Sequence, residues 1–330
     1  WRSSKRRFRS CVVLQGPIGA LLLAGLLVYA QQVLMPQVIA WPELGGHLEA
    51  FSLQHDGRDR HYSVYRPDVL KEKPAVLLVF HGSLSDGLSM REMGAHQFDR
   101  LADEQGFLLV YPDGYKKHWN DCRGTADYAA NTENIDDVGF VRQLLEVLSR
   151  DFGIDRERVF ATGLSNGGHM ALRLALEAPE LVAGVAPIAS NLPVADTLDC
   201  TPSGVPVNVA LVAGTHDPVN PYDGGLVKIL WDDSRGVVQS AEATAAYFAG
   251  LAGYDSAPVQ SRLPDSALDD DSTISVRRWL GREQRVALYT LEGGGHIFPS
   301  RNTRFGKLLG GDNRDIDAAD LVWDFFTQGK

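Results

Sequence analysis

From about residue 45 onward, the chain alternates short apolar runs with amphipathic stretches. Residues 75–80 and 107–111 are apolar throughout, which is typical of strands covered on both faces of a sheet. Residues 134–150 instead carry apolar side chains at the three- and four-residue spacing of a helix. Because buried strands alternate with helices along the chain, the pattern predicts a mainly parallel sheet with helices on both faces.

The same pattern predicts the remaining elements. Residues 47–54 and 60–66 flank the turn dipeptide Asp56-Gly57 and are expected to form an antiparallel N-terminal hairpin. Further strands are predicted at 159–163, 182–188, 205–213 and 285–291, and helices at 91–105, 167–178, 240–251 and 318–326. The polar stretch 254–273 is predicted to be a solvated surface loop rather than a site. In an α/β sheet of this kind, ligands bind beyond the carboxyl ends of the strands.

The first thirty residues have a different composition. They contain five basic side chains and no acidic one, followed by an apolar run of about 13 residues over 18–30. Val28 and Ala30 stand at −3 and −1 of a cleavage point before Gln31. We therefore expect an export signal over 1–30, a linker over 31–44 and a single domain over 45–330. An uncleaved membrane anchor is the alternative, and both place the domain outside the cytoplasm, in the periplasm or the extracellular space.

Composition narrows the class of protein further. The hydrophobic fraction is 44% and the charged fraction 22%, which is ordinary globular usage and excludes a disordered chain or a many-span membrane protein. With 32 basic and 42 acidic side chains the net charge is −10, so no nucleic-acid partner is expected. A membrane partner is expected only if the N-terminal segment is uncleaved.

Cysteine usage agrees with an oxidising compartment. Cys11 would leave with the signal, and Cys122 and Cys200 would remain as an even pair that can form a disulfide. Two free buried thiols are the alternative, because sequence alone does not fix the separation of the two Cα atoms. No CxxC or His/Cys cluster suggests a metal, and no cofactor is expected.

Residues 163–167 fit the G-x-S-x-G pattern, in which a strand turns sharply into a helix and holds a serine hydroxyl above the sheet. Here the pattern joins a predicted strand to a predicted helix, which is the surrounding that the motif requires. Ser165 is therefore the candidate nucleophile. The alternative is an ordinary turn serine.

A serine hydroxyl needs a base with a matching pKa and a carboxylate that orients this base. His296 follows the last predicted strand in a glycine-rich loop and is the candidate base; the other eight histidines are expected to be solvated or structural. His169, for example, is expected to point away from the strand-to-helix turn at residues 163–167, which is called the elbow below. Asp217 directly follows the strand at 205–213 and is the candidate carboxylate. Asp223 is a rival, and Asp217 could instead simply form a turn.

The developing oxyanion needs preorganised hydrogen-bond donors. The backbone N–H of Asn166, directly after the serine, is one candidate. The backbone N–H of Ser83, in a tight glycine turn after the strand at 75–80, is the other. Trp119 and Asn120, with Tyr115, are candidates for an aromatic wall that binds substrate; the alternative is that the tryptophan covers the core.

Several short motifs along the chain, taken together, resemble the extracellular polyhydroxybutyrate depolymerase and feruloyl esterase family of α/β-hydrolases. These motifs are His81-Gly82, Trp119-Asn120, residues 136–140, residues 163–168, Asp217-Pro218, Pro221-Tyr222, residues 293–296 and residues 315–318. The resemblance extends from about residue 45 to the C-terminus. It implies an α/β-hydrolase fold and a secreted serine esterase with Ser165, Asp217 and His296 as its triad, and a position for Trp119 near the site. The sequence departs from the family pattern at two positions: Phe298 stands where the family often has Trp, and Ser83 stands where it often has Cys or Gly. These departures leave the identity of the substrate undetermined.

The sequence thus predicts a carboxylic-ester hydrolase that acts through an acyl-enzyme, with residues 45–330 as its catalytic domain. Its candidate substrates are small, oligomeric or polymeric esters, namely hydroxyalkanoate oligomers, feruloyl esters and acetylated xylan. A serine peptidase of related fold, or a noncatalytic binding protein on a hydrolase scaffold, are the alternatives.

Overall fold

The computed structural model of the protein describes residues 36–229 and 232–327. The export signal or anchor predicted over 1–30 lies outside these residues. The strands are β1 (Gln37–Val38), β2 (His47–His55), β3 (Arg58–Arg66), β4 (Val76–Phe80), β5 (Leu108–Pro112), β6 (Val159–Leu164), β7 (Gly184–Ile188), β8 (Asn208–Gly214), β9 (Gly225–Leu226), β10 (Val237–Val238), β11 (Val259–Arg262), β12 (Thr273–Trp279), β13 (Val286–Glu292) and β14 (Thr303–Arg304).

The helices are α1 (Gly87–Met93), α2 (Gln97–Gln105), α3 (Ala129–Thr132), α4 (Asp137–Phe152), α5 (Asn166–Glu177), α6 (Ala241–Leu251) and α7 (Ala318–Thr327). Short 3₁₀ turns lie at Pro179–Leu181, Ala195–Thr197 and Lys307–Leu309. Helix α4 begins where Asp136 caps it, because the Asp136 carboxylate accepts the N–H of Gly139.

One ten-stranded sheet organises the domain, in the order β11-β12-β13-β8-β7-β6-β4-β5-β3-β2. The six inner strands from β13 to β5 are parallel. The hairpin β2–β3 forms one antiparallel edge and β11–β12 forms the other. This is the α/β class that the sequence predicted, with its antiparallel N-terminal hairpin.

The core lies in two layers, one on each face of the sheet. In β4, Val76, Leu78 and Phe80 face the layer that contains α4, α5 and α6. Leu77 and Val79 face the opposite layer, with α1, α2 and α7. Since both faces of the inner strands are covered, these strands read as continuous apolar runs in the sequence.

Two predicted elements are wrong in detail. The single helix expected over 91–105 is divided into α1 and α2, because Ala95 and His96 adopt positive φ angles of 50° and 55°, which end a helix. The stretch 254–273 is not a plain loop: it contains β11, which pairs with the unpredicted strand β12. The side chains of β11 are exposed throughout, so this strand has no alternation of apolar and polar residues to detect.

Residues flanking the sheet also pack on the domain. Strand β1, within the predicted linker, pairs with β14, and the Trp41 ring lies 4.5 Å from that of His96.

Cys122 and Cys200 are joined in a disulfide with their Cα atoms 5.0 Å apart. The bond connects the segment after β5 to the segment after β7. No helix in the described part of the chain is long and apolar enough to cross a membrane.

Candidate active site

Ser165 lies at a sharp turn between β6 and α5. Its backbone angles are φ 56° and ψ −120°, a conformation that residues other than glycine rarely adopt and that is retained mostly at functional sites. The Ser165 N–H donates to the carbonyl of Ile188 at 2.9 Å, which ties the turn to β7. A Cβ on Gly163 or Gly167 would overlap the carbonyl oxygen of Phe80. The elbow therefore forms because glycines let the chain double back this closely.

The imidazole of His296 and the carboxylate of Asp217 form a buried pair. His296 Nδ1 lies 2.8 Å from Asp217 Oδ2 and 3.0 Å from Oδ1. The side chains are 9% and 1% exposed, respectively. The backbone N–H groups of Val219 and Asn220 each donate to Asp217 Oδ1 at 2.8 Å. An ionised carboxylate accepts only, so Nδ1 is the donor in this pair, and in the neutral imidazole the lone pair then lies on Nε2.

The loops that carry this pair interlock. Strands β8 and β13 are parallel neighbours, and Leu291 lies opposite Gly214. A Cβ on Gly214 would overlap the carbonyl oxygens of Gly294 and Gly295, and the N–H of His216 donates to the Gly294 carbonyl at 2.8 Å. Close backbone contact of this kind requires glycine. Asp217 and His296 are therefore presented together, after the carboxyl ends of two adjacent strands.

His169 lies against the elbow, contrary to the prediction that it points away. Its Nδ1 is 3.0 Å from the Ser165 carbonyl oxygen. Burial, with the positive charge of Arg123 nearby, lowers the pKa of His169 to about 3, so the imidazole is neutral at working pH. The His296 ring contributes to this shift in the same direction. The Ser165 hydroxyl makes no hydrogen bond to another residue in the described ranges 36–229 and 232–327.

The two candidate oxyanion donors flank the serine. A Cβ added to Gly82 would lie 3.7 Å from the Ser165 Cβ, so the turn after β4 reaches the elbow, and Ser83 is the next residue. Asn166 opens α5, where its N–H has no intrahelical acceptor. Among the described residues, the N–H of Ser83 likewise has no hydrogen-bond acceptor. Neither N–H group is therefore engaged by another group in the described part of the chain.

Trp119 and Asn120 lie in the interior rather than on an open wall. Trp119 is 0% exposed, and its Nε1 donates to the His81 carbonyl at 3.0 Å. Asn120 is 2% exposed, and its side-chain amide donates to the carbonyl of Ile135 at 2.9 Å. These positions favour the alternative given above, in which Trp119 covers the core. Tyr115 is half-buried, with its hydroxyl on a carboxylate at the surface.

The Asn166 side chain forms hydrogen bonds that connect the segment containing Trp119 to the elbow. Its Oδ1 accepts the Trp119 N–H at 2.8 Å, and its Nδ2 donates to Asp121 Oδ2 at 2.7 Å. Burial alone would raise the pKa of Asp121, but the Arg123 guanidinium beside it holds this pKa well below its usual range. Arg123 Nε and Nη2 both donate to this carboxylate, and a buried charge pair hydrogen-bonded in this way makes the segment beneath the elbow rigid.

Arg235 is a residue of the site region that the sequence did not point to. Its Nη1 donates to the hydroxyl oxygen of Ser83 at 2.9 Å. Arg235 lies in the loop before β10, far from Ser83 in the chain. A lone arginine outside any motif carries no signal that sequence reasoning could use.

A cavity of about 580 Å³ adjoins the loops that carry Asp217 and His296. His216, Gly293, Asp270, Arg304 and Arg314 are among the residues that line it. The stretch 254–273 thus contributes to a cavity wall, although it was predicted to be only a surface excursion. Within the described residues, no group of His, Cys, Asp and Glu side chains could hold a metal ion.

Comparison with known proteins identifies the family. The family model described as "Putative esterase" matches residues 54–245. A protein of Nocardia uniformis subsp. tsuyamanensis, named "Putative esterase NocK", is 30% identical over 286 residues, which cover 83% of this chain and 80% of the relative. The chain belongs to this esterase family. It is therefore a carboxylic-ester hydrolase with an α/β-hydrolase fold, as the sequence predicted.

Further relatives of the esterase carry more specific names. The bifunctional acetylxylan esterase/xylanase XynS20E of Neocallimastix patriciarum is 28% identical over 169 residues, covering 51% of this chain but 23% of the relative. Feruloyl esterase B of Neurospora crassa is 31% identical over 119 residues, covering 36% and 39%. The structure of an acetyl xylan esterase from Aspergillus awamori superposes with a TM-score of 0.55 at 16% identity, covering 76% and 94%, which shows a shared fold.

Proposed function

We propose that the esterase is a serine hydrolase in which Ser165 is the nucleophile, His296 the general base and Asp217 the carboxylate that orients the base. The observation that carries this proposal is the buried contact of 2.8 Å between His296 Nδ1 and Asp217 Oδ2, at the same edge of the sheet as the strained Ser165 turn. Because the carboxylate holds the proton on Nδ1, Nε2 is left able to accept the serine proton.

In the first half of the reaction, His296 Nε2 accepts the Ser165 proton while Oγ bonds to the ester carbonyl carbon. The carbonyl π electrons move to the oxygen, and the N–H groups of Ser83 and Asn166 bind the resulting oxyanion. Collapse of this intermediate breaks the bond to the alcohol oxygen, which takes the proton from His296. Water then attacks the acyl-enzyme with the same histidine as base, and the acid leaves.

We propose acyl esters of plant cell-wall polysaccharides, acetylated or feruloylated, as the substrate class. The names of the partial relatives support this choice. Phe298 does not distinguish these acyl groups directly, because it is fully buried against Phe305, with ring centroids 5.0 Å apart. Hydrolysis rates on methyl ferulate, acetylxylan and 3-hydroxybutyrate oligomers decide between the classes. A preference for the oligomers would overturn this assignment and favour a depolymerase.

We also propose that the esterase is exported. The joined Cys122 and Cys200 support an oxidising compartment, and the basic and apolar residues 1–30 support a signal. N-terminal sequencing of the protein secreted by an expressing culture is expected to begin at Gln31. Recovery of the intact chain in the membrane fraction would instead support the anchor, and recovery in the cytosol would contradict export.

The Ser165→Ala variant tests the mechanism. We expect hydrolysis of p-nitrophenyl acetate to fall by about 10⁴-fold or more, because the acyl-enzyme can no longer form. A fluorophosphonate probe should label the native enzyme and not the variant. Ser256→Ala, at an exposed serine in the loop between α6 and β11, is the control and should keep its probe labelling. Undiminished hydrolysis by Ser165→Ala would reject the proposal.

A further inference from the structure

The turn after β4 places a side-chain hydroxyl beside the elbow, in addition to the backbone N–H of Ser83. A Cβ added to Gly82 would lie 3.7 Å from the Ser165 Cβ, so the turn that carries Ser83 runs past the candidate nucleophile. Ser83 is half-buried and does not belong to the packed core.

The direction of the bond to Arg235 decides which way the Ser83 hydroxyl can act. A guanidinium only donates hydrogen bonds, so the Ser83 Oγ must be the acceptor of the 2.9 Å contact with Arg235 Nη1. The hydroxyl proton then remains to be donated elsewhere. Within the parts of the chain that the structure describes, no acceptor lies within hydrogen-bond distance of this hydroxyl. Ser83 therefore has an unused donor beside the elbow.

Arg235 is itself held in place. It is 5% exposed, and its Nε donates to Asp232 Oδ2 at 3.1 Å, while Nη2 lies 3.0 Å from the same carboxylate oxygen in an ion pair. Its guanidinium carbon lies 5.2 Å from the centroid of the Tyr128 ring. A fixed cation that donates to a hydroxyl oxygen makes the hydroxyl proton a stronger donor. Arg235 thus both orients the Ser83 hydroxyl and polarises it.

We propose that the Ser83 hydroxyl is a third donor to the oxyanion, held and polarised by Arg235 as a positioning residue. This proposal rests on the serine mechanism above. A tetrahedral oxyanion can accept three hydrogen bonds, and the N–H groups of Ser83 and Asn166 provide two of them. A donor that is free in the resting enzyme and engaged only when charge develops stabilises the transition state more than the substrate.

The Ser83→Ala variant tests the hydroxyl while keeping the backbone N–H. We expect kcat to fall by about 10- to 100-fold with little change in KM, because the lost donor acts on the transition state. The inhibition constant of a trifluoromethyl ketone, which forms a tetrahedral oxyanion on the serine, should rise by a similar factor. Ser83→Thr, which keeps a hydroxyl, should recover most of the loss. Ser85→Ala, in the same turn, is the control and should behave as the native enzyme.

The role of Arg235 is tested in combination with Ser83. Arg235→Met alone should lower kcat, whereas in the Ser83→Ala background it should cause little further loss, because the two act through one hydroxyl. Arg235→Lys keeps the charge and provides a second measurement if the Met variant unfolds. If the loss of kcat in the double variant equals the product of the losses in the two single variants, Arg235 does not act through Ser83 and its positioning role is contradicted. Native kcat and inhibitor affinity in Ser83→Ala would overturn the third donor, while an inactive Ser165→Ala would still support the serine mechanism.

Discussion

Replacing Asp217 by Asn gives a sharp test of the proposed proton path. The carboxylate accepts the N–H groups of Val219 and Asn220 on Oδ1, and it accepts His296 Nδ1, which lies nearer to Oδ2 (2.8 Å) than to Oδ1 (3.0 Å). An amide has one oxygen. If this oxygen still accepts the two backbone N–H groups, the amide NH₂ faces His296 Nδ1. Nδ1 must then accept a hydrogen bond from the amide, so it can no longer carry a proton. The proton moves to Nε2, and the imidazole can no longer take a proton from Ser165.

The expected loss in kcat is about 10⁴-fold, the size of effect that this change of tautomer has in serine-protease triads. This corresponds to about 5 kcal/mol of transition-state stabilisation. The opposite orientation of the amide would break both backbone hydrogen bonds, so the variant should prefer the inactive tautomer. Initial rates on p-nitrophenyl acetate measure the effect, and urea unfolding checks that the fold is kept.

Asp223→Asn provides the matched control for this change. Asp223 was the rival carboxylate in the sequence, and it is exposed, six residues from Asp217. Its replacement should leave kcat near the native value. A large loss in Asp223→Asn together with a small loss in Asp217→Asn would refute the assignment of the acid.

Two further predictions concern stability. Replacing both Cys122 and Cys200 by Ser should lower the free energy of unfolding by about 2–5 kcal/mol, since the disulfide closes a long loop. Reduction of the native protein should produce the same change in urea unfolding. An unchanged urea midpoint would contradict this prediction. The pKa of His169, lowered from 6.5 to about 3 by burial, means that the unfolded chain binds a proton that the folded chain excludes. Stability should therefore decrease as the pH falls from 6.5 toward 3. His169→Gln should reduce this slope, and an identical slope in the variant would show that the histidine is not the cause.

The sequence was sufficient for the inner sheet and for the elbow because both have local causes. Strands such as β4 and β5 are buried on both faces, so their residues are apolar without interruption. The glycines around Ser165 are required by backbone contacts within the turn itself. Asp217 and His296 could be selected because each directly follows a strand, and parallel strands end at the same edge of a sheet.

The missed features depend on contacts between distant parts of the chain. Strand β11 is exposed and pairs only through its backbone, which does not constrain its side chains. Trp119 is an aromatic residue in a loop, and only the fold shows that it lies beneath the elbow rather than facing solvent. The contact between Arg235 and Ser83 joins residues 152 positions apart and has no counterpart in any sequence pattern.

The interlocked loops after β8 and β13 have a consequence for how this esterase can diversify. They carry His296 and Asp217 as one unit, whereas Ser165 stands on β6, with β7 between β6 and β8. Adjacent strands are about 4.8 Å apart, so the backbone itself sets a span of about 10 Å between the end of β6 and the end of β8. Surface segments such as residues 222–229 can then vary in length and shape while the strand ends that present Ser165, Asp217 and His296 keep their spacing.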